Sequence, residues 1–392
     1  MKSLQFAVLA GSGLLLFTAC SNLKEAEHAT SAAQIPPAAI KAIEAVKARL
    51  APDPHMSICA IGLELERNSL VLTGEVERVE FREDAMLALE RAGVKAEDQV
   101  RVLPAEELGE KVWGIVCLSV ASGRESPDHK AEMGTQMLMG QVVRVWKRLR
   151  HWLYVQSPDG YLSWVESGAV ALSTRAEADA WERTEQVIVT GFDERVLEGP
   201  SLDALPVSDV VMGDRLRLIG APEGGWLKVE LPDRRAGWLA KDAVTNYAAW
   251  KASRRATPQN VEKTATMFLG RPYLWGGMSP KGLDCSGFAK LVFLLNGIEL
   301  PRNASEQARE GRPVNLGDDF ADLKKGDLLF FGWPARGERP EWVTHVAIYL
   351  GYKRFIQSAQ MVKISSLDPG SPIYDAGHAR ALLAARRILP EQ

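Results

Sequence analysis

Two stretches in the middle of this chain repeat one another. Met139-Gly140, Trp152-Leu153-Tyr154-Val155 and Ser163-Trp164-Val165 return as Met212-Gly213, Trp226-Leu227-Lys228-Val229 and Gly237-Trp238-Leu239, with the two tryptophans twelve residues apart in each copy. Such a repeat restricts the fold, because each copy has to bury the same face in the same way. The short alternating runs, separated by turn residues such as Ser157-Pro158-Asp159-Gly160, predict a small antiparallel barrel of roughly sixty residues per copy. Aromatic residues at matched positions first serve packing, so the tryptophans are expected in barrel cores rather than in ligand cages. The 392 residues leave room for further domains on both sides.

Composition excludes several classes of function. Lys plus Arg is 47 against 50 Asp plus Glu, a formal net charge of -3, which argues against a broad nucleic-acid-binding surface. Four cysteines without a CxxC pair form neither a disulfide scaffold nor a zinc site, and nothing in the pattern calls for a metal or other cofactor. Cys59 and Cys117 fit either a disulfide or two separate buried thiols. Lys2 and the nearly uncharged stretch Phe6 to Ala19 have the outline of an export signal, too short for a permanent membrane span of about 20 residues. Leu16-Phe17-Thr18-Ala19-Cys20 is similar to a bacterial lipobox, which implies lipidation of Cys20 and a membrane anchor; ordinary secretion with cleavage near Ala19 is the alternative. Residues 1–19 are read as the signal and 20–36 as a tether. Ser21 after Cys20 favours the outer membrane in a cell that has one, so the expected location is the periplasmic face of the envelope.

Residues 37–112 read as a small α/β domain. Ile40, Ile43, Val46 and Leu50 recur at helical spacing from Pro37, two extended runs follow (Ile58 to Leu65 and Leu70 to Val76), then a helix from Glu83 to Ala92 and a strand from Val100 to Leu103. This order is faintly similar to a BON module. The repeats occupy 113–183 and 184–247 and are similar to bacterial SH3 domains.

Residues 248–392 carry the chemistry. A helix is expected to begin at Cys285, with Phe288, Leu291, Val292 and Leu295 as its apolar stripe. In that first turn the unpaired N–H groups and the helix dipole are expected to lower the thiol pKa. Gly326 to Phe331, Thr344 to Leu350 and Arg354 to Ser358 read as strands. His345 alternates with apolar neighbours, and Gln357 is placed to orient its ring across the ladder.

The order of Tyr273-Leu274-Trp275-Gly276-Gly277, Asp284-Cys285-Ser286-Gly287-Phe288, Gly326-Asp327-Leu328 and Thr344-His345-Val346 resembles the NlpC/P60 cysteine peptidases. With two SH3-like units in front, it resembles the γ-D-glutamyl-L-diamino acid endopeptidases that trim peptidoglycan-derived peptides with a free N-terminal L-Ala. The resemblance implies a multidomain α+β chain with a papain-like catalytic domain. It implies Cys285 as nucleophile, His345 as proton shuttle, Gln357 in the third catalytic position where His is frequent, and Tyr273 as an oxyanion donor. For substrate binding it implies Glu132, Tyr161, Asp284, Ser286 and Asn303, the last standing where an acid is expected. The competing readings are a D,L-endopeptidase or an amidase acting on intact peptidoglycan, and a catalytically silent wall-binding lipoprotein.

Overall fold

The computed structural model describes residues 34–390 apart from 318 and 338. The export signal and Cys20 lie outside the described residues, and no helix among the described ones is long and apolar enough to cross a membrane.

Pro37 opens a helix that runs to Leu50 and buries Ala39, Ile43 and Val46 on one face. Pro suits the first helical position because its missing N–H has no intrahelical acceptor there. The strands Cys59–Glu66 and Ser69–Val76 follow as a hairpin. Its two-residue turn has Arg67 and Asn68 at φ 48° and 70°, both in the left-handed region that matches hairpin twist. A second helix, Val79–Arg91, starts four residues before the expected Glu83. Val79-Glu80-Phe81 alternates like a strand in sequence, but Phe81, Ala85 and Leu89 fall on one helical stripe and pack into the core. Glu97–Val102 completes the sheet in parallel to the second strand. Cys59 and Cys117 are separate buried thiols.

Each repeat forms a seven-stranded antiparallel sheet, from Trp113 to Ser173 and from Gln186 to Asn246, in keeping with SH3-like domains. The shared Met-Gly pair has a common cause. Gly140 and Gly213 sit at φ 85° and 99°, where a side chain would be strained. These two turns face one another: a Cβ on Gly140 would lie 2.6 Å from the Arg215 carbonyl oxygen, and one on Gly213 2.7 Å from Leu138. The repeated turn is therefore also the joint between the two barrels. Buried Asp214 accepts from the N–H groups of Met139 and Val211 across it. The tryptophans differ between copies. Trp152 and Trp164 are buried and Trp226 and Trp238 partly buried, but the cores are built from their neighbours Leu153, Val155 and Val165 in the first copy and Leu227, Val229 and Leu239 in the second, so the tryptophans do not take the expected core positions.

In the C-terminal domain the helix Cys285–Leu294 lies against a six-stranded antiparallel sheet in the order 312–314, 382–387, 328–333, 342–351, 354–359, 361–366. The helix is buried all round, which its apolar composition requires. Phe268, Phe288, Phe293, Phe330, Ile348 and Ile356 form the core, and Leu138, Val211 and Met212 of the two barrels belong to the same cluster. Polar contacts fix the same docking. Lys290 of the catalytic helix pairs with Asp159 of the first barrel at 3.1 Å, and Gln136 Oε1 accepts from the Met278 N–H and the Ser279 hydroxyl.

Candidate active site

Cys285 is the first residue of its helix, because Asp284 caps it: the carboxylate accepts from the Gly287 N–H at 2.7 Å. Gly287 has to lack a side chain, since a Cβ would lie 2.1 Å from the Gly277 carbonyl oxygen. The N–H groups of Ser286 and Val346 approach the sulfur and favour its thiolate, yet they do not prevail. Burial, reinforced by the Asp284 carboxylate, pushes the thiol up to about 11. The expected depression at the helix start is thus opposed by burial, because Cys285 is only 8% exposed and its thiolate would lack the hydration that stabilises an anion.

His345 lies on the strand Trp342–Gly351, one residue before Val346. Its Nε2 is 2.6 Å from Gln357 Oε1. The orientation of that amide is determined by what lies behind it. Gln357 Nε2 donates to Ser365 Oγ at 3.0 Å and to the Asp375 carboxylate at 3.2 Å. A carboxylate only accepts, so the amide oxygen must face the imidazole and Nε2 must carry the hydrogen. Nδ1 is left as the acceptor. Burial, with His378 4.6 Å away between ring centroids, lowers the His345 pKa to about 4. Burial thus favours the neutral form of both the thiol and the imidazole. Asp375 and His378, which bond to each other at 2.8 Å, were not singled out in the sequence. Their signal was absent because they reach the site from a short helix near the chain end.

A cleft of about 520 Å³ opens over Cys285. Its lining includes Tyr273, Asp284, Ser286 and Asn303 of the catalytic domain and Glu132 and Tyr161 of the first barrel, so the candidates named from sequence converge. Their individual positions differ from expectation. Glu132 is at the exposed rim and accepts from the Trp275 indole at 2.6 Å. The carboxylate beside Tyr161 is Glu125, 3.3 Å from the phenol oxygen. Asp284 does not face the cleft with a free charge: it accepts from the Gly276 N–H and from both terminal nitrogens of Arg302, which is 2% exposed. Ser286 accepts from the same guanidinium at 2.9 Å. Asn303 forms a capping box with Glu306 on the short helix Ala304–Gln307. Tyr273 holds its proton firmly, burial raising its pKa, as befits a hydroxyl donor. No cluster of metal-ligating side chains occurs among the described residues.

A cysteine at a buried helix start, packed against an antiparallel sheet that carries a histidine, is an arrangement that cysteine peptidases use. Residues 270–380 match the NlpC/P60 family model, and residues 123–170 match the bacterial dipeptidyl-peptidase Sh3 domain. Residues 270–380 therefore form an NlpC/P60 domain.

Similarity extends through the barrels. The chain is 29% identical to dipeptidyl-peptidase 6 of Lysinibacillus sphaericus, over 69% of this chain and 97% of that one. It is 29% identical to the γ-D-glutamyl-L-lysine dipeptidyl-peptidase of Bacillus subtilis, over 66% of this chain and 81% of that protein. The crystal structure of an NlpC/P60 family protein from Bacillus cereus is covered over its full length by 71% of this chain, with a TM-score of 0.60 and 26% identity.

Proposed function

We propose that this chain is a γ-D-glutamyl-L-lysine dipeptidyl-peptidase acting on peptidoglycan-derived peptides with a free N-terminal L-Ala. The observation that carries this reading is that one cleft unites Cys285 with Glu125 and Tyr161 of the first barrel. A cleft walled by a second domain admits a free peptide end and leaves no course for a glycan strand. Glu125, whose carboxyl pKa is lowered by the His55 hydrogen bond, offers a carboxylate to the substrate ammonium.

In the proposed mechanism the Cys285 sulfur attacks the γ-carbonyl as its proton passes to His345 Nδ1. The Cys285 N–H, which has no intrahelical acceptor, and the Tyr273 hydroxyl stabilise the oxyanion. Collapse breaks the C–N bond, and the imidazolium gives its proton to the leaving amine. Water then cleaves the thioester with His345 as base, releasing L-Ala-D-Glu and restoring the thiol. The packing of the Cys285 helix on the His345 sheet supports a papain-like reading of this domain. The helix and strand order of residues 37–102 supports a BON-like reading of the first.

The test is kcat/KM on L-Ala-γ-D-Glu-L-Lys and its N-acetylated form, with intact sacculi in parallel and Cys285→Ala as control. Cleavage of the free-amine peptide alone is expected. Equal values for the pair, or efficient release from sacculi, would assign a wall-remodelling D,L-endopeptidase instead. We further propose export as a lipoprotein anchored through Cys20. Mass spectrometry of membrane-extracted protein should find acyl groups on that residue, and an unmodified terminus would leave ordinary secretion.

A further inference from the structure

The N-terminal domain reaches into the cleft. His55, in the turn between its first helix and first strand, lines the same cavity as Cys285. The ring stacks on Tyr161 with centroids 5.1 Å apart and planes 17° from parallel. Its Nε2 is 3.1 Å from Glu125 Oε2, and its Nδ1 is 3.2 Å from Asp53 Oδ1. Both ring nitrogens therefore face carboxylates, a setting in which each acts as a donor. The turn is held in place: the Leu162 N–H donates to the His55 carbonyl at 2.7 Å, Gln156 donates to the Met56 carbonyl, and Ile58 and Leu103 pack with Leu162. His55 lies outside both family matches, which cover 123–170 and 270–380.

We propose that His55 is a specificity-determining residue: it walls off the amine end of the cleft and aims Glu125, so that a peptide reaches Cys285 with only one residue, bearing a free amine, before its γ-glutamyl group. This rests on the peptidase reading above. Glu125 receives one donor from each side, Tyr161 on Oε1 and His55 on Oε2, which orients the carboxylate before substrate arrives. The stacked ring occupies the space that an acyl group on the amine would need. Without His55, the carboxylate swings and the end of the cleft opens.

The experiment compares wild type, His55→Ala and His55→Gln on the free-amine and N-acetylated tripeptides, and measures binding of both peptides to Cys285→Ala with and without His55→Ala by calorimetry. In His55→Ala the KM for the free-amine peptide should rise, kcat should change little, and the preference over the acetylated peptide should fall roughly 10-fold or more, the expected effect of losing a charge-assisted contact. His55→Gln keeps a donor toward Glu125 and should recover most of the preference. An unchanged preference in folded His55→Ala, in turnover or in binding, would overturn the proposal. Binding to Cys285→Ala that discriminates through His55, without turnover by wild type, would refute the peptidase reading and support the role of His55.

Discussion

Two electrostatic decisions at single residues set the behaviour of the site. The first is that burial holds Cys285 up to about 11 and His345 down to about 4, so the catalytic proton starts on sulfur. Protonating His345 removes the acceptor, which puts the loss of activity on the acid side. kcat/KM should hold from neutral pH to about 5 and fall as pH drops through about 4. Alkylation of Cys285 by iodoacetamide should rise about tenfold per pH unit above neutrality, since only the thiolate reacts. Rapid, pH-independent alkylation near pH 7 would instead indicate a preformed thiolate-imidazolium pair. The second decision is the neutralisation of Asp284 by Arg302, both deeply buried. Arg302→Met strands that carboxylate and should cost about 3 to 5 kcal/mol in denaturant unfolding. An unchanged midpoint would show that Asp284 finds another partner.

At the level of elements, the sheet and the short helix Ala376–Ala381 together determine which way the Gln357 amide points. The strand Arg354–Ala359 brings Gln357 opposite Lys363 and within reach of His345, but an amide in that position is free to rotate by half a turn. Asp375, the cap of the short helix, removes the freedom. Asp375→Ala should therefore lower kcat roughly 10-fold with KM nearly constant, and Gln357→Ala should retain partial activity. Because both act through one imidazole, the double variant should lose much less than the product of the two single effects. Full additivity in that cycle would separate the two residues. A glutamine can replace a histidine here because the third position orients the base and exchanges no proton.

Over the whole molecule, the cleft exists only while the first barrel stays docked. Gly276 is at the contact, at φ 74°, and a Cβ there would lie 2.1 Å from the Met133 carbonyl oxygen. Left-handed backbone alone costs a residue with a side chain about 1 to 2 kcal/mol, and the clash adds to it. Gly276→Ala should raise KM through displacement of Glu125 and Tyr161, and calorimetry, in which the wild type is expected to melt in one transition, should show that transition broaden or divide. A variant with one sharp transition and unchanged KM would mean the joint tolerates the methyl group. The shared core of Leu138, Val211 and Met212 with the catalytic Phe residues is the reason to expect one cooperative unit.

What the chain discloses without coordinates is local. The repeated Met-Gly turns, the Pro-initiated first helix and the helix beginning at Cys285 each follow from residues close together in sequence, where spacing and backbone preference act directly. His345 and Gln357 were legible because strand alternation places them on one face. The partners of those residues were not legible. Glu125 and Glu132 are equally acidic in sequence, and only the docking of the barrel puts one beside Tyr161 and the other against Trp275. Arg302 neutralises an aspartate eighteen residues away, Asp375 reaches Gln357 from eighteen residues further on, and His55 crosses seventy residues to Glu125. Local pattern specifies a helix or a strand through the periodicity of the backbone, whereas the charge state and reach of a buried side chain depend on which distant groups the packing brings to it.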